Sequence, residues 1–279
     1  MKLLSWNYRG LGSPRAVRSL MRLIRIENPD VLFLMETRLN SSEIQNIRSR
    51  SSYEGGFSVD CNGEGRHKAG VLTLLWKDAI HLMIKSFSLN HIEGSILDEC
   101  DSQKGDFGGI YGFPKEKNKK RTWALIQWLV NQGRGKFVCF GDLNDILSES
   151  EKQGGNSRTA GQLLEGRNTM DMCGLSDLGF EGYPFTWTNG RKDMENIQIR
   201  LDRCLAKEEF VNRFSPIKVS HLGRFGSDHA AIRIQLEVDS SVATRKKCHM
   251  FRFEEVWSRD PACIGLVKKP WNKGHPSII

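Results

Sequence analysis

A series of short segments carries side chains from which phosphate chemistry can be built: Ser5-Trp6-Asn7, Met35-Glu36-Thr37, Tyr111, Gly141-Asp142-Leu143-Asn144, Thr186-Trp187, Arg200-Leu201-Asp202-Arg203 and Ser227-Asp228-His229. Together they set carboxylates, carboxamides, a phenol and an imidazole at the ends of apolar runs. Hydrolysis of a phosphodiester asks for that combination. It needs a cation to neutralise the phosphate, an aligned water, a group to take its proton, and support for the leaving oxygen. Hard oxygen donors suit magnesium or manganese, which keep several waters and take one or two carboxylates.

Each residue also has a plainer reading. Glu36 follows Val31-Leu32-Phe33-Leu34-Met35, so its carboxylate is held at a strand end, either as a ligand or as a surface cap. Asp142 and Asn144 stand two apart after Phe137-Val138-Cys139-Phe140. They can face one side as proton acceptor and hydrogen-bond donor, or the segment is a simple turn. Asp202 lies in a strand-like run, where an unpaired carboxylate is costly. It pairs with Arg200 or Arg203, or it orients His229. Tyr111 packs in the core or offers its phenol to a phosphate oxygen; Trp187 packs or wedges against a base step. Lys115-Glu116-Lys117-Asn118-Lys119-Lys120-Arg121 holds five bases against one acid. It is a solvated loop and helix start, or a nucleic-acid contact.

Short apolar strands alternating with amphipathic helices must position these groups. Residues 3–6 and 31–35 read as buried strands joined by a helix that Ser13 caps and Pro14 opens. Its predicted buried face is Val17, Leu20, Met21 and Ile24. Arg15, Arg18, Arg22 and Arg25 line the other side, as a solvated face or a phosphate-contacting ridge. Residues 71–76, 82–89 and 92–97 suit an antiparallel meander, with another strand at 106–111. Helices are predicted around 121–131, burying Trp123, Ile126 and Val130, and around 161–173. The last strands are predicted at 197–205 and 230–236.

With 279 residues, 39% of them hydrophobic and 27% charged, the chain can build a large globular core. The net charge of +8 points to a polyanionic partner, nucleic acid first. The seven cysteines are scattered and form no CxxC pair, which reads as reduced thiols and argues against zinc. No run approaches the ~20 apolar residues of a membrane span, and the N-terminal apolar stretch is too short for a signal-peptide core. The expectation is an intracellular protein, nuclear or cytoplasmic, neither secreted nor membrane-bound. Residues 239–279 hold eight basic residues against four acidic ones without strong periodicity. The expected division is therefore a domain over 1–238 and a basic C-terminal linker or extension over 239–279.

In this order the motifs resemble those of the endonuclease/exonuclease/phosphatase superfamily, and most nearly the endonuclease domain of plant LINE-type (non-LTR) retrotransposons. The resemblance covers residues 1 to about 238 and takes in Arg9-Gly10, Gly112 and Phe185 as well. It implies a four-layered α/β sandwich, two packed mixed β-sheets flanked by helices, with the site at one end. It implies Glu36 as principal ligand of Mg2+ (or Mn2+), with Asn7 helping and Asp228 beside the metal. Asp142 would orient or deprotonate the attacking water and Asn144 would steady it. His229, held by Asp202, would bind the scissile phosphate, and Tyr111 would touch it too. Thr186 and Trp187 would lie near a DNA-facing loop, and Arg9, Lys115, Lys117, Lys119, Lys120 and Arg121 would contact DNA. The implied reaction is a nick in DNA by a monomeric enzyme, leaving a 3′-hydroxyl. The nucleophile is then a water, with Ser227 a small supporting residue.

The tail, with Phe251, Phe253 and Trp257, looks like the connector towards a reverse transcriptase, a domain this chain does not carry. Two departures stand out. Relatives that repair abasic sites have an acid where this chain has Arg9, and the Gly-Phe-Pro after Tyr111 lacks the asparagine of a Tyr-x-Pro-Asn pattern. The alternatives are a phosphatase or phosphodiesterase of the same fold, or a catalytically silent relic that binds nucleic acid.

Overall fold

Strand after strand, residues of one parity turn inward and those of the other turn out. Strand β1 (Lys2–Asn7) sends Leu3 inward and Leu4 and Trp6 outward. Strand β2 (Val31–Met35) sends Val31, Phe33 and Met35 inward and Leu32 and Leu34 outward. In β8 (Phe137–Asp142), Val138 and Phe140 go in, and Phe137 and Cys139 go out. The inner rows meet in one core between two sheets, where each fully buried leucine or phenylalanine contributes on the order of 2–3 kcal/mol.

One sheet runs β14 (Ile217–His221), β15 (Ile232–Leu236), β1, β2, β4 (Leu72–Trp76), β3 (Gly55–Val59). The other runs β10 (Leu175–Asp177), β13 (Asp202–Lys207), β8, β7 (Gln103–Tyr111), β6 (His91–Leu97), β5 (Leu82–Ser88). Both are mixed: β1 and β2 are parallel, as are β7 and β8, and the other pairs are antiparallel. Helices α1 (Pro14–Glu27) and α2 (Ser41–Arg50) cover the outer face of the first sheet. Helices α3 (Lys119–Gln132) and α4 (Ala160–Cys173) cover that of the second, and α5 (Glu208–Phe214) plugs the core's flank with Phe210 and Phe214. The result is the expected four-layered α/β sandwich. A small third sheet of β9 (Lys152–Gln153), β12 (Gln198–Ile199) and β11 (Trp187–Thr188) walls the end of the sandwich where the parallel strands finish.

This computed structural model describes residues 1–39, 41–59, 72–97, 103–133 and 135–237, so the expected extension over 239–279 lies outside the described residues. Among those described, no helix is long and apolar enough to cross a membrane, and Cys139, Cys173 and Cys204 are buried free thiols.

Three details differ from the expectations. The buried face of α1 is Ala16, Leu20 and Leu23, with Met21 and Ile24 only partly covered, because its contact with the sheet is centred one residue round from the apolar stripe. The run 197–205 is two strands in different sheets, β12 and β13, since the chain crosses between them at Arg200 and Leu201. Residues 72–76 pair with β2 and β3, so the meander is β5, β6 and β7.

Candidate active site

The inner rows do not stop at the core; they end in polar side chains at one end of the sandwich. Asn7 closes the row after Leu3 and Ser5, Tyr111 the row of Phe107 and Gly109, and Asp142 the row of Val138 and Phe140. Asp202 opens the row of Cys204 and Ala206. Register sets Asp142 opposite Tyr111 in parallel β7 and opposite Asp202 in antiparallel β13, so three groups stand side by side. The close approach of β8 to β7 depends on Gly141, at φ +132°, where a Cβ would lie 2.1 Å from the Ile110 carbonyl oxygen.

Two site residues hold left-handed backbone, Glu36 at φ 52° and Asn144 at φ 53°. For side chains other than glycine this costs on the order of 1–3 kcal/mol. Tertiary contacts offset it. The Glu36 carbonyl accepts from Gly10 N at 3.0 Å, and that of Thr37 from Leu11 N at 2.9 Å. Asn144 donates from its backbone N to Asp142 Oδ1 (2.8 Å) and from Nδ2 to Gly112 O (2.9 Å), while the Lys119 ammonium donates to its carbonyl.

Asn7 Nδ2 donates to Asp142 Oδ2 (2.9 Å) and to Glu36 Oε1 (3.2 Å), and the Tyr111 hydroxyl donates to the same Glu36 oxygen at 2.5 Å. His229 places Nδ1 2.9 Å from Asp202 Oδ2 and Nε2 3.7 Å from Asp142 Oδ2. Its backbone N donates to Ser227 Oγ, whose hydroxyl donates to the Asn7 carbonyl, and Trp6 Nε1 donates to the His229 carbonyl. Burial opposes a charge on His229, but Asp202 and Asp142 overcome it and raise the pKa to about 9, so the ring is an imidazolium at neutral pH. Burial raises the Asp142 carboxyl, with His229 opposing and Asp202 adding to the rise. Burial first, then Glu36, raises the Tyr111 phenol, which stays a neutral donor.

Asp142 and Asp202 therefore face one imidazolium, and Glu36 joins them through Asn7, an excess of two negative charges at one strand end. Arg9 adds nothing to this balance, because it pairs with Asp228 at 3.0 Å. Asn7 Oδ1 and Asp202 Oδ1 are buried without a hydrogen-bond partner. Hard oxygens, excess negative charge and an orphaned carboxamide oxygen fit a hard divalent cation. Asp142, Asp202 and His229 offer ligand atoms within 4.8 Å of one another. His229 Nδ1 takes Asp202 Oδ2, and Asp142 accepts from Asn7 and Asn144; of the remaining oxygens, Asp202 Oδ1 is buried, and those of Glu36, which lines the cleft, and of Asn7 beside it suit a cation best.

Asn7, Glu36, Tyr111, Asp142, Asn144, Asp202 and His229 thus converge, and the choice left open at Asp202 is settled: it holds His229, while Arg200 and Arg203 bind Glu151 and Asp177. Arg9, Glu36, Tyr111, Asn144, Trp187, Asp228 and His229 line an open cleft, which Pro114, Lys119, Ile199 and Leu201 complete. Three residues do something other than expected. Thr186 is fully buried, with Oγ1 accepting from the amides of Leu201 (2.9 Å) and Asp202 (3.0 Å), so it shapes the site and cannot touch DNA. Lys119 is held by the Asn144 carbonyl and by Asp145 at 3.4 Å, bracing the loop that follows Asp142. Asp228 has Arg9 and Trp187 Nε1 on one oxygen, already satisfied without a metal. Lys115, Lys117, Lys120 and Arg121 are exposed at the start of α3, with the Arg121 guanidinium 4.4 Å over the Phe113 ring. Sequence reasoning missed Ile199 and Leu201 as cleft walls, for which only the chain crossing would have been a signal.

The model of the Endonuclease/Exonuclease/phosphatase family matches residues 4–229, from β1 through His229. The chain belongs to that family. A DNA-(apurinic or apyrimidinic site) endonuclease of Dictyostelium discoideum is 27% identical over 265 residues, 86% of this chain and 71% of that protein. Among solved structures, the endonuclease domain of TRAS1, a telomere-specific non-LTR retrotransposon, superposes with a TM-score of 0.62 at 13% identity, covering 85% of this chain and 99% of that one. An AP endonuclease from Archaeoglobus fulgidus gives 0.63 at 15% identity, covering 85% and 100%. At such identities the likeness to these structures is one of fold.

Proposed function

We propose that the protein is a magnesium-dependent DNA endonuclease in which a water attacks the phosphodiester. The observation that carries this is the excess of two negative charges where Glu36, Asp142 and Asp202 meet the His229 imidazolium. When bound, magnesium, or manganese in its place, would be held by Glu36 and Asn7 and would supply charge neutralisation and Lewis acidity at the phosphate. Asp142, its proton affinity raised by burial, takes the proton of the attacking water. Asn144 steadies that water, and Tyr111 fixes Glu36. The water oxygen bonds to phosphorus as the bond to the 3′ oxygen breaks. That oxygen leaves as a 3′-hydroxyl after collecting a proton from solvent, and the phosphate stays on the 5′ side. His229, locked by Asp202, donates Nε2–H to a non-bridging phosphate oxygen. Arg9, Lys115, Lys117, Lys120 and Arg121 hold the flanking backbone, and Trp187 is the wall against which a base step rests.

One copy carries every group named, which supports the reading of a monomeric enzyme. In a full-length retroelement its nick would prime a linked reverse transcriptase. Incubation with supercoiled plasmid is expected to give nicked circles with magnesium and none with a chelator, and His229→Ala is expected to abolish nicking. Equal nicking by wild type and by that variant would sink the proposal.

A further inference from the structure

The outward face of α1 has no part in the site. Arg15, Arg18, Arg22 and Arg25 recur at spacings of three and four, so they form one stripe. All are exposed, opposite the buried Ala16, Leu20 and Leu23. Among the described residues none of the four has a salt bridge or a side-chain hydrogen bond, unlike Arg200, Arg203 and Arg233, which all do. The one acid in the helix, Glu27, is taken by Arg233 at 3.1 Å. The stripe continues onto α2. A groove between the helices is lined by Arg18, Asn46 and Arg50, with Glu43 its single acid, and a second hollow by Arg25, Arg50 and Lys77. Lys77 is occupied by Asp30 at 3.0 Å, so Arg50 is the further free cation there among the described residues.

Such a row of unpaired guanidiniums is self-repelling and would be relieved by an anion of matching pitch. Ten residues of helix cover about 15 Å. One strand of a nucleic acid carries a charge about every 3.4 Å of axis, which sets four to five phosphates against the stripe. Guanidinium is also the group that best matches a phosphate's paired oxygens.

We infer that the α1 stripe, with Arg50, is a second nucleic-acid-binding surface that grips a phosphodiester backbone outside the catalytic cleft. It is independent of the nicking chemistry, and its test is run in chelator so that a protein without nuclease activity can still pass. Fluorescence anisotropy over a salt series would compare wild type with R18Q/R22Q/R25Q and with R18K/R22K/R25K, on labelled single-stranded RNA and on duplex DNA of about 30 nucleotides or base pairs. Circular dichroism would establish that all three fold alike. The Gln variant is expected to lose about tenfold or more in affinity, with a salt dependence shallower by two to three in the log–log slope. The Lys variant is expected to keep the slope. A loss confined to RNA or to DNA would name the source of the backbone. Unchanged slopes on both probes would overturn the inference, as would loss of binding to phosphatidylserine vesicles with none to nucleic acid, or a Lys variant no better than the Gln variant.

Discussion

Adjacent residues of β13, Asp202 and Arg203, belong to two clusters of buried charge that lie back to back across the sheet. Outward, Arg203 binds Glu151 at 2.8 Å and Asp177 at 3.0 Å, and Arg200 binds the same two acids at 3.0 and 2.7 Å. Two cations meet two anions, and the balance closes. Inward, Asp202 joins Asp142, Glu36 and a single imidazolium, and it does not close. Both clusters are buried and both carry shifted ionisations. Burial of charge is therefore no mark of a site here; the imbalance is.

The sharpest way to break this comparison is Asp142→Asn. It is expected to lower nicking by about 10²–10⁴-fold while leaving the thermal midpoint unchanged or higher, because it removes one of the crowded carboxylates. A variant that both unfolds and loses activity would make the inner cluster structural after all. Arg203→Ala should do the opposite. It leaves Glu151 and Asp177 to share the single guanidinium of Arg200, one buried charge uncompensated, and is expected to cost about 3–5 kcal/mol in denaturant unfolding. A metal titration separates the clusters by charge. Magnesium at about a hundredfold excess over its dissociation constant is expected to stabilise wild type by roughly 2.7 kcal/mol and to do little for Glu36→Gln; an equal shift in both would remove Glu36 as ligand.

The smallest effect lies in the pH dependence of metal-free stability, and it differs in sign between the two clusters. Burial raises Glu151 and Asp177, and Arg203 and Arg200 more than offset it, so both end lowered. Their contribution is present above the unfolded carboxylate range and is lost as the pH falls through the lowered folded values. His229 is raised to about 9, so its contribution is full below the unfolded histidine value and fades as the pH rises to about 9. Unfolding curves for Arg203→Ala should therefore flatten on the acid side, and those for His229→Gln on the alkaline side. Flattening on the same side in both variants would show that the clusters titrate as one.

The inner cluster was largely legible in the sequence because an apolar strand points at each member. The run Val31-Leu32-Phe33-Leu34-Met35 ends at Glu36, and Phe137-Val138-Cys139-Phe140 leads to Asp142, so composition alone locates the strand ends. Ser13 and Pro14 announced α1 through capping chemistry, and Ser13 Oγ does accept from Ala16 N. The outer cluster was not legible. Glu151 meets Arg203 across 52 residues, and Asp177 meets it across 26, with no periodicity joining them. The same blindness to distant partners made Thr186 look available to DNA and hid that Lys119 is already held by Asn144 and Asp145. It also hid the change of sheet at Arg200 and Leu201, where local strand propensity continues although the neighbours change.

The shared alternation of core and site has a consequence for how this gene can vary. Phe140 and Asp142 lie in phase on β8, so inserting or deleting one residue after Val138 would turn both to the helix-covered face together. The fold cannot absorb such a slip and keep its chemistry, or keep its core and lose only the chemistry. Frame-preserving length changes should therefore be confined to the loops, and inactivation of the site without loss of the fold should come by substitution alone.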